Sequence, residues 1–459
     1  MNIRIFLVTA CALPLLFLGC EGPEGPDGAD GPQGPAGEGF DVYTYVGDNA
    51  TSCGGCHDAT VETWHDTGHS GAYASLAAEG NENNPYCLQC HTVGFDATVA
   101  YGDTVLTDNG TNDSGFDDYW PAENDEDTAR LAALENVQCE ACHGPMGPTI
   151  YYHNPEYSFA TRIVGEESLS TCAACHHSQI EEWEESAHGM ALETHGFTIE
   201  EYDEEFDRSS CGTCHTSEGF VKEYDADWTD MERPEPASLI GCVTCHDPHS
   251  DANEHQLRNL DDVTVLYDQN EAAVFTGYGS GQLCAQCHHA RRSTDNVNGQ
   301  IADGYAHFGP HGSPQMDMFL GSGSYEIAGY TYNRLATHQN VEQACVSCHM
   351  ELIEVHDRDH LVHSNEVTVT PCQGCHPGLE DFDYAGGQTE ITTLMDDLEA
   401  LLVSQGVPID SLGSATASTA EQRMAGYAWV FVNNDGSHGV HNPAYAASLL
   451  TNAIDFITP

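Results

Sequence analysis

The chain has 459 residues, and its 73 acidic side chains outnumber 12 basic ones to give a net charge of −61. A surface this anionic repels nucleic acid and anionic lipid headgroups, which excludes nucleic-acid binding and suits cationic partners, divalent cations or a saline habitat. All but two of the 20 cysteines fall in closely spaced pairs, leaving Cys11 and Cys20, so neither a disulfide framework nor a four-cysteine zinc site can be assembled.

In chain order, Met1 to Arg4 is a short positive start and Ile5 to Leu18 an apolar run too short to span a bilayer comfortably. Residues 1–19 therefore read as a signal peptide of an exported protein. Leu16-Phe-Leu-Gly-Cys20 looks like a lipoprotein box, with Phe17 where leucine is usual, and makes Cys20 the expected lipidation site; a cleaved soluble precursor is the alternative. Membrane association is expected only through that anchor. Within residues 20–39, glycine recurs at 22, 25, 28, 31, 34 and 37, a collagen-like run too short for a stable triple helix and read as a solvated spacer.

Residues 40–380 carry nine copies of one motif. They are Cys53-Gly-Gly-Cys56-His57, Cys87-Leu-Gln-Cys90-His91, Cys139-Glu-Ala-Cys142-His143, Cys172-Ala-Ala-Cys175-His176, Cys211-Gly-Thr-Cys214-His215, Cys242-Val-Thr-Cys245-His246, Cys284-Ala-Gln-Cys287-His288, Cys345-Val-Ser-Cys348-His349 and Cys372-Gln-Gly-Cys375-His376. Cys-x-x-Cys-His is the attachment signature of c-type haem. The thiols bond the two vinyl groups and the adjacent imidazole takes one axial position on the iron. Nine copies imply nine covalently bound haem c groups. Such a motif density leaves room for short helices and long ordered loops with little strand, so the fold class is mainly α, built around stacked haems.

The motifs repeat in threes. His57, Trp64 and His69 recur as His176, Trp183 and His188, and Cys87 to His91-Thr92 with Gly94-Phe95 recurs as Cys211 to His215-Thr216 with Gly219-Phe220. Three modules follow: 40–160, 161–260 and a looser 261–380. Between the second and third motifs, Asp108 to Asp118 is an oxygen-rich loop that could hold calcium or be merely solvated; its spacing is not that of an EF-hand. Beyond His376, residues 381–459 lack cysteine. Apolar positions at 391, 394, 395, 398, 401 and 402 predict an amphipathic helix over Thr389 to Gln405, stopped by Gly406 and Pro408. Ala420 to Val432 and Pro443 to Ile457 read as two more helices, and this tail is expected to pack on the haem domain.

An iron with two protein ligands passes electrons, whereas an iron with one can bind substrate. Of 26 histidines, nine are proximal, which leaves 17 for the distal positions. His69 and His188, equivalent by repeat and each near a tryptophan, are the first distal candidates. His249 sits too close to its own motif and should reach a neighbouring haem. His153, His255, His311, His338, His360 and His441 complete the set, with His65, His177, His195, His289, His307, His356, His363 and His438 in reserve.

Trp64-x-x-Thr67-x-His69, His91-Thr-x-Gly94-Phe95 and Gln138-Cys-Glu-Ala-Cys-His143-Gly144-Pro145 resemble the tetrahaem cytochrome of ammonia oxidisers, whose superfamily includes hydroxylamine oxidoreductase and pentahaem nitrite reductase. The tail Asp435-Gly-Ser-x-Gly-Val-His441-Asn-Pro looks like the C-terminal part of the nitrite-reductase side, which implies a ligand role for His441. The lipoprotein box followed by Gly-x-y triplets is similar to surface multihaem cytochromes of metal-reducing bacteria. The resemblance implies a continuous chain of parallel-stacked and perpendicular haem pairs. It departs in that all nine motifs end in histidine, where nitrite reductases commonly place lysine at the catalytic haem.

Two functions fit these residues. One is a bis-His electron conduit with no catalytic residue, exported and anchored at the outer membrane, cell surface or periplasmic face. It would pass charge to other multihaem cytochromes, soluble acceptors or minerals, with self-assembly into an oligomer or filament as a variant. The alternative is a reductase or oxidase of nitrite, hydroxylamine or sulfur oxyanions with one five-coordinate haem. His288-His289-Ala-Arg291-Arg292 is the cluster nearest to such a site, though its arginines read more simply as partners of haem propionates.

Overall fold

The computed structural model describes residues 44–96, 98–99, 106–107, 113–147, 166–190, 209–224, 238–266, 273–304, 309–355, 358–407 and 418–459. The signal segment, Cys20, the glycine-rich spacer, His153, His195, His307, His356 and residues 108–112 of the acidic loop lie outside them. The described residues belong to one unit, Tyr43–Pro459.

Short helices dominate. The first group comprises α1 (Asp58–Trp64), α2 (Ala72–Glu79), α3 (Pro85–His91), α4 (Asp125–Ala133) and α5 (Cys139–His143). Next come α6 (Glu166–Ala173), α7 (His177–Glu185), α8 (Ser209–His215), α9 (Ser217–Tyr224) and α10 (Cys242–Cys245). Then follow α11 (Gly281–Ala285), α12 (Thr294–Asp303), α13 (Gln315–Leu320) and α14 (Cys345–His349). Strands among the described residues form three two-stranded antiparallel ladders, the longest pairing Leu352–Val355 with Arg358–Leu361. The fold is thus mainly α with little β, as the motif density predicts.

Each motif closes on itself as a single helical turn. The histidine N–H donates to the carbonyl of the first cysteine in His57, His176, His246 and His288, at 2.9 Å each, and in His376 at 2.8 Å. A helical turn sets residues three apart on one face, so both thiols of a motif point the same way.

The internal repeat is built in space as well as in sequence. Trp64 donates its indole N–H to the Val137 carbonyl at 3.2 Å, and Trp183 donates to Ile240 at 2.9 Å. Both acceptors lie two residues ahead of a motif, the third and the sixth. Each tryptophan therefore ties the helix after the first motif of a module to the third motif of that module. Thr92 and Thr216 donate to the carbonyls of Leu88 and Gly212, four residues back, at 2.7 and 3.0 Å. Glu140, buried in the third motif, accepts from the backbone N–H groups of Val46, Gly47 and Met146 and anchors the start of the described chain.

The tail is constructed differently. Helices α15 (Gly387–Ser404), α16 (Ala420–Asp435) and α17 (Pro443–Ile457) start and stop where local chemistry dictates. Thr419 and Gln422 form a reciprocal capping box on α16, Asn442 caps α17 ahead of Pro443, and Gly436 ends α16 in a left-handed conformation. Ile391, Leu398, Leu402, Phe431, Tyr445, Leu449 and Leu450 interlock in an apolar core that also takes in Val297, Ile301, Met318 and Ile327. The tail helices are therefore packed onto α12, α13 and the loop after it.

Candidate haem-binding centre

One continuous cavity of about 3680 Å³ runs through the motif region. It is several times the size of a pocket for one small ligand, roughly 300–1,000 Å³. Residues from all nine motifs line it, including His57, His91, His143, His176, His246, His288, His349 and His376, with Cys214 representing the fifth motif. Large apolar side chains stand open into it: Leu335 is 80% exposed, Leu352 60% and Tyr384 58%. Hydrophobic residues of this size belong against an apolar surface, and a porphyrin supplies one.

Imidazoles face each other in this region, all of them lining the cavity except His215 and His311. His69 lies opposite His176 with ring centres 6.3 Å apart, His249 opposite His143 at 6.2 Å, and His188 opposite His288 at 6.1 Å. His311 faces His215 at 6.0 Å and His363 faces His246 at 6.4 Å. His338 faces His376 at 6.3 Å and His441 faces His349 at 6.2 Å. Two iron–imidazole bonds of roughly 2.0 Å, plus about 1.1 Å from each nitrogen to its ring centre, predict a separation of about 6.2 Å. All seven gaps match an intervening iron, so the residues present fit a bis-His haem. His57 and His91 are outside this set.

The pairs join elements distant in sequence. His69 and His188 each face the first motif histidine of the next module, while His249, His311 and His363 reach back to motifs of the preceding module. Two distal candidates sit elsewhere. His360 turns its Nε2 to the Glu182 carboxylate at 2.7 Å, and the same carboxylate accepts from the backbone N–H of His363 at 2.8 Å, so that His363 is the one opposite His246. His255 is exposed, and its contribution is a backbone carbonyl 2.8 Å from His246 Nδ1. The position of His363 could not be distinguished from that of His360 in sequence, since the two are only three residues apart and both flank the end of a strand.

Burial favours the neutral form, the one that binds iron, in eight of these imidazoles. It pushes His188 down to about 4, with help from His288, and His311 down to about 4, with help from Arg291. His69, His176, His246, His288, His349 and His363 are lowered for the same reason. His441 is the exception. Burial would lower it, but the charge and hydrogen bond of Asp435, 2.6 Å from Nδ1, outweigh that and raise it. Arg291 Nε is buried with no hydrogen-bond partner among the described residues. In the calcium candidate, the described part has Asp113 and Asp117 raised to about 6 and about 7 by burial, and Asp113 accepts from Gly115 N–H at 3.1 Å. No cluster of metal-ligating side chains occurs among the described residues.

Thiols of different motifs also meet. Cys53 lies within hydrogen-bonding reach of Cys139, Cys90 of Cys175, Cys172 of Cys242, Cys214 of Cys287, and Cys284 of Cys345. Sequence reasoning offered no signal for these contacts, because they depend on how the modules stack.

A family model described as cytochrome c554 and c-prime matches residues 52–112 and 171–247. The C-type polyheme cytochrome OmcC of Geobacter sulfurreducens is 24% identical, over 57% of this chain and 44% of its own length, so the chain spans less than half of that relative. The solved outer cell wall cytochrome OcwA is 20% identical with a TM-score of 0.48, covering 81% of this chain and 76% of that one. The undecaheme cytochrome from the S-layer of Carboxydothermus ferrireducens is 19% identical with a TM-score of 0.47, covering 71% and 50%. The cytochrome c nitrite reductase of Desulfovibrio desulfuricans is 16% identical with a TM-score of 0.32, covering 54% and 64%. The two c554-matched stretches coincide with the segments whose tryptophan and threonine contacts repeat in space, and in these segments the chain is similar to multihaem cytochromes c.

Proposed function

We propose that the chain is a nonahaem electron conduit, with seven of its irons held by two imidazoles from the described residues. The observation that carries this reading is the set of seven histidine pairs, each spaced for an iron, six of them lining one cavity to which all nine motifs contribute. Bound haem c supplies a one-electron iron couple. The protein holds each site rigid and excludes water, which keeps reorganisation on electron transfer small. His57, His91, His143, His176, His215, His246, His288, His349 and His376 serve as proximal ligands. His69, His188, His249, His311, His338, His363 and His441 serve as distal ones.

The thiol contacts support an order of sites. First cysteines meet between motifs one and three, four and six, and seven and eight; second cysteines meet between two and four, and five and seven. Weaker electrostatic influence links Cys142 with Cys172, Cys245 with Cys284, and Cys348 with Cys372. Together these give a trunk of motifs one, three, four, six, seven, eight and nine, with two and five as branches. Arg291 and Arg292 act on His311 from beside the fifth and seventh motifs, where they are placed to pair with carboxylates of the bound cofactor. Export and anchoring through Cys20, at the outer membrane or cell surface, follow from the N-terminal segment; no described helix is long and apolar enough to cross a membrane. Other redox proteins or extracellular acceptors would then be the partners.

Haem quantification with intact mass, followed by electron paramagnetic resonance of the oxidised protein, tests this reading. Nine haems with low-spin signals are expected. A much smaller count overturns the conduit, and a high-spin signal that responds to nitrite or hydroxylamine replaces it with the reductase alternative.

A further inference from the structure

The seven facing pairs differ in what holds the outer ring nitrogen. Backbone carbonyls sit at Nδ1 of His246 (His255, 2.8 Å), His338 (Val440, 2.7 Å), His349 (Asn365, 3.3 Å) and His363 (Leu361, 2.7 Å). An amide oxygen of Gln315 is 3.4 Å from His288. His441 has a carboxylate at hydrogen-bond distance, Asp435 Oδ1 at 2.6 Å. Two further carboxylates stand beyond hydrogen-bond distance of paired rings: Asp247 is 3.6 Å from His249 Nδ1 and Glu182 is 3.8 Å from His363 Nδ1.

Asp435 is also costly where it stands. Its side chain is fully buried, and it ends α16, where the helix dipole disfavours an anion. It is held there by donors: the Ser437 hydroxyl, the Ser437 N–H at 3.3 Å and the His441 ring N–H. Ser437 Oγ in turn accepts from the His441 backbone N–H at 3.2 Å, so the turn from Asp435 to His441 is a closed hydrogen-bonded unit. A buried anion on the outer nitrogen makes a ligand imidazole more electron-donating and favours the more oxidised metal.

We propose that Asp435 is a positioning and tuning residue that lowers the reduction potential of the iron site held by His349 and His441. The inference rests on the bis-His reading above and deepens it. On the proposed trunk this site lies between those of motifs seven and nine. The carboxylate makes it harder to reduce than a carbonyl-supported neighbour, and so places an uphill step next to the end of the line. No proton need move with the electron, because the ring N–H stays on His441.

The full-length holoprotein carrying Asp435→Asn keeps the shape and a hydrogen-bond acceptor while removing the charge. In spectroelectrochemical titration, one site is expected to become easier to reduce by about tenfold, about 59 mV for one electron, with the other sites unmoved. Ser437→Ala, which keeps the charge and removes one of its donors, is expected to shift the same site in the opposite direction. If neither variant moves any potential while the low-spin spectrum is intact, the tuning role is wrong. The ligand assignment is tested separately by His441→Ala: loss of one low-spin signal upholds it, and an unchanged set of low-spin signals overturns the reading on which this inference stands.

Discussion

The motif region and the tail helices are two solutions to the problem of making an interior. In the tail, side chains alone close the core: Leu398, Leu402, Phe431, Tyr445 and Leu450 are each fully buried at 0% exposure. In the motif region, the protein leaves about 3680 Å³ open, and residues such as Leu335 and Leu352 stand against it. The difference teaches that the tail is folded by one continuous side-chain core, while the motif region divides its buried side chains into small clusters, such as Leu88, Val93 and Phe116 or Val265, Phe275 and Met316, beside the cavity.

The strongest way to break that comparison is to remove one haem. In Cys172→Ala/Cys175→Ala, the fourth site is lost, and its thiols neighbour Cys242 and Cys90. Intact mass should show one haem fewer, and limited proteolysis should show several modules opening together; a protein that melts like wild type would mean that the porphyrins are not the core. Next in size, Phe431→Ala should cost about 3–5 kcal/mol by leaving a cavity. Thermal melting should fall while the haem count stays the same, and a changed haem count would mean that the two interiors are not separable.

Where tail and motif region adjoin, Asp317 offers a pH test. Its carboxyl is buried, accepts from Ala290 N–H at 2.7 Å, and is lifted by burial from 3.8 to about 7. The native state therefore retains a proton that the unfolded chain releases. The contribution is present at pH below 3.8 and is lost as pH rises through about 7. Asp317→Asn should flatten the fall in stability across that window by a few kcal/mol, read from denaturant midpoints; equal slopes for both proteins would refute it. The smallest effect is expected for Trp183→Phe, which removes the bond to the Ile240 carbonyl and should cost about 1 kcal/mol. Trp64→Phe should cost about the same if the two modules are equivalent in energy as well as in geometry.

The sequence by itself determined the local chemistry. Nine attachment turns, the Trp64 and Trp183 repeat, and the three tail helices were legible because each depends on residues within a few positions of one another. The distal set was legible only in part. His69 and His188 stood out because they repeat, and His441 because of its surroundings in the tail. The tertiary fold sets His360 on Glu182 from α7 and His363 opposite His246, whereas the sequence favoured His360 and held His363 in reserve. The thiol contacts between modules, and the placing of Asp435 behind His441, were likewise decided only by how distant segments pack. An axial pair is a contact between two remote points of the chain, and one linear motif can specify only the first of them.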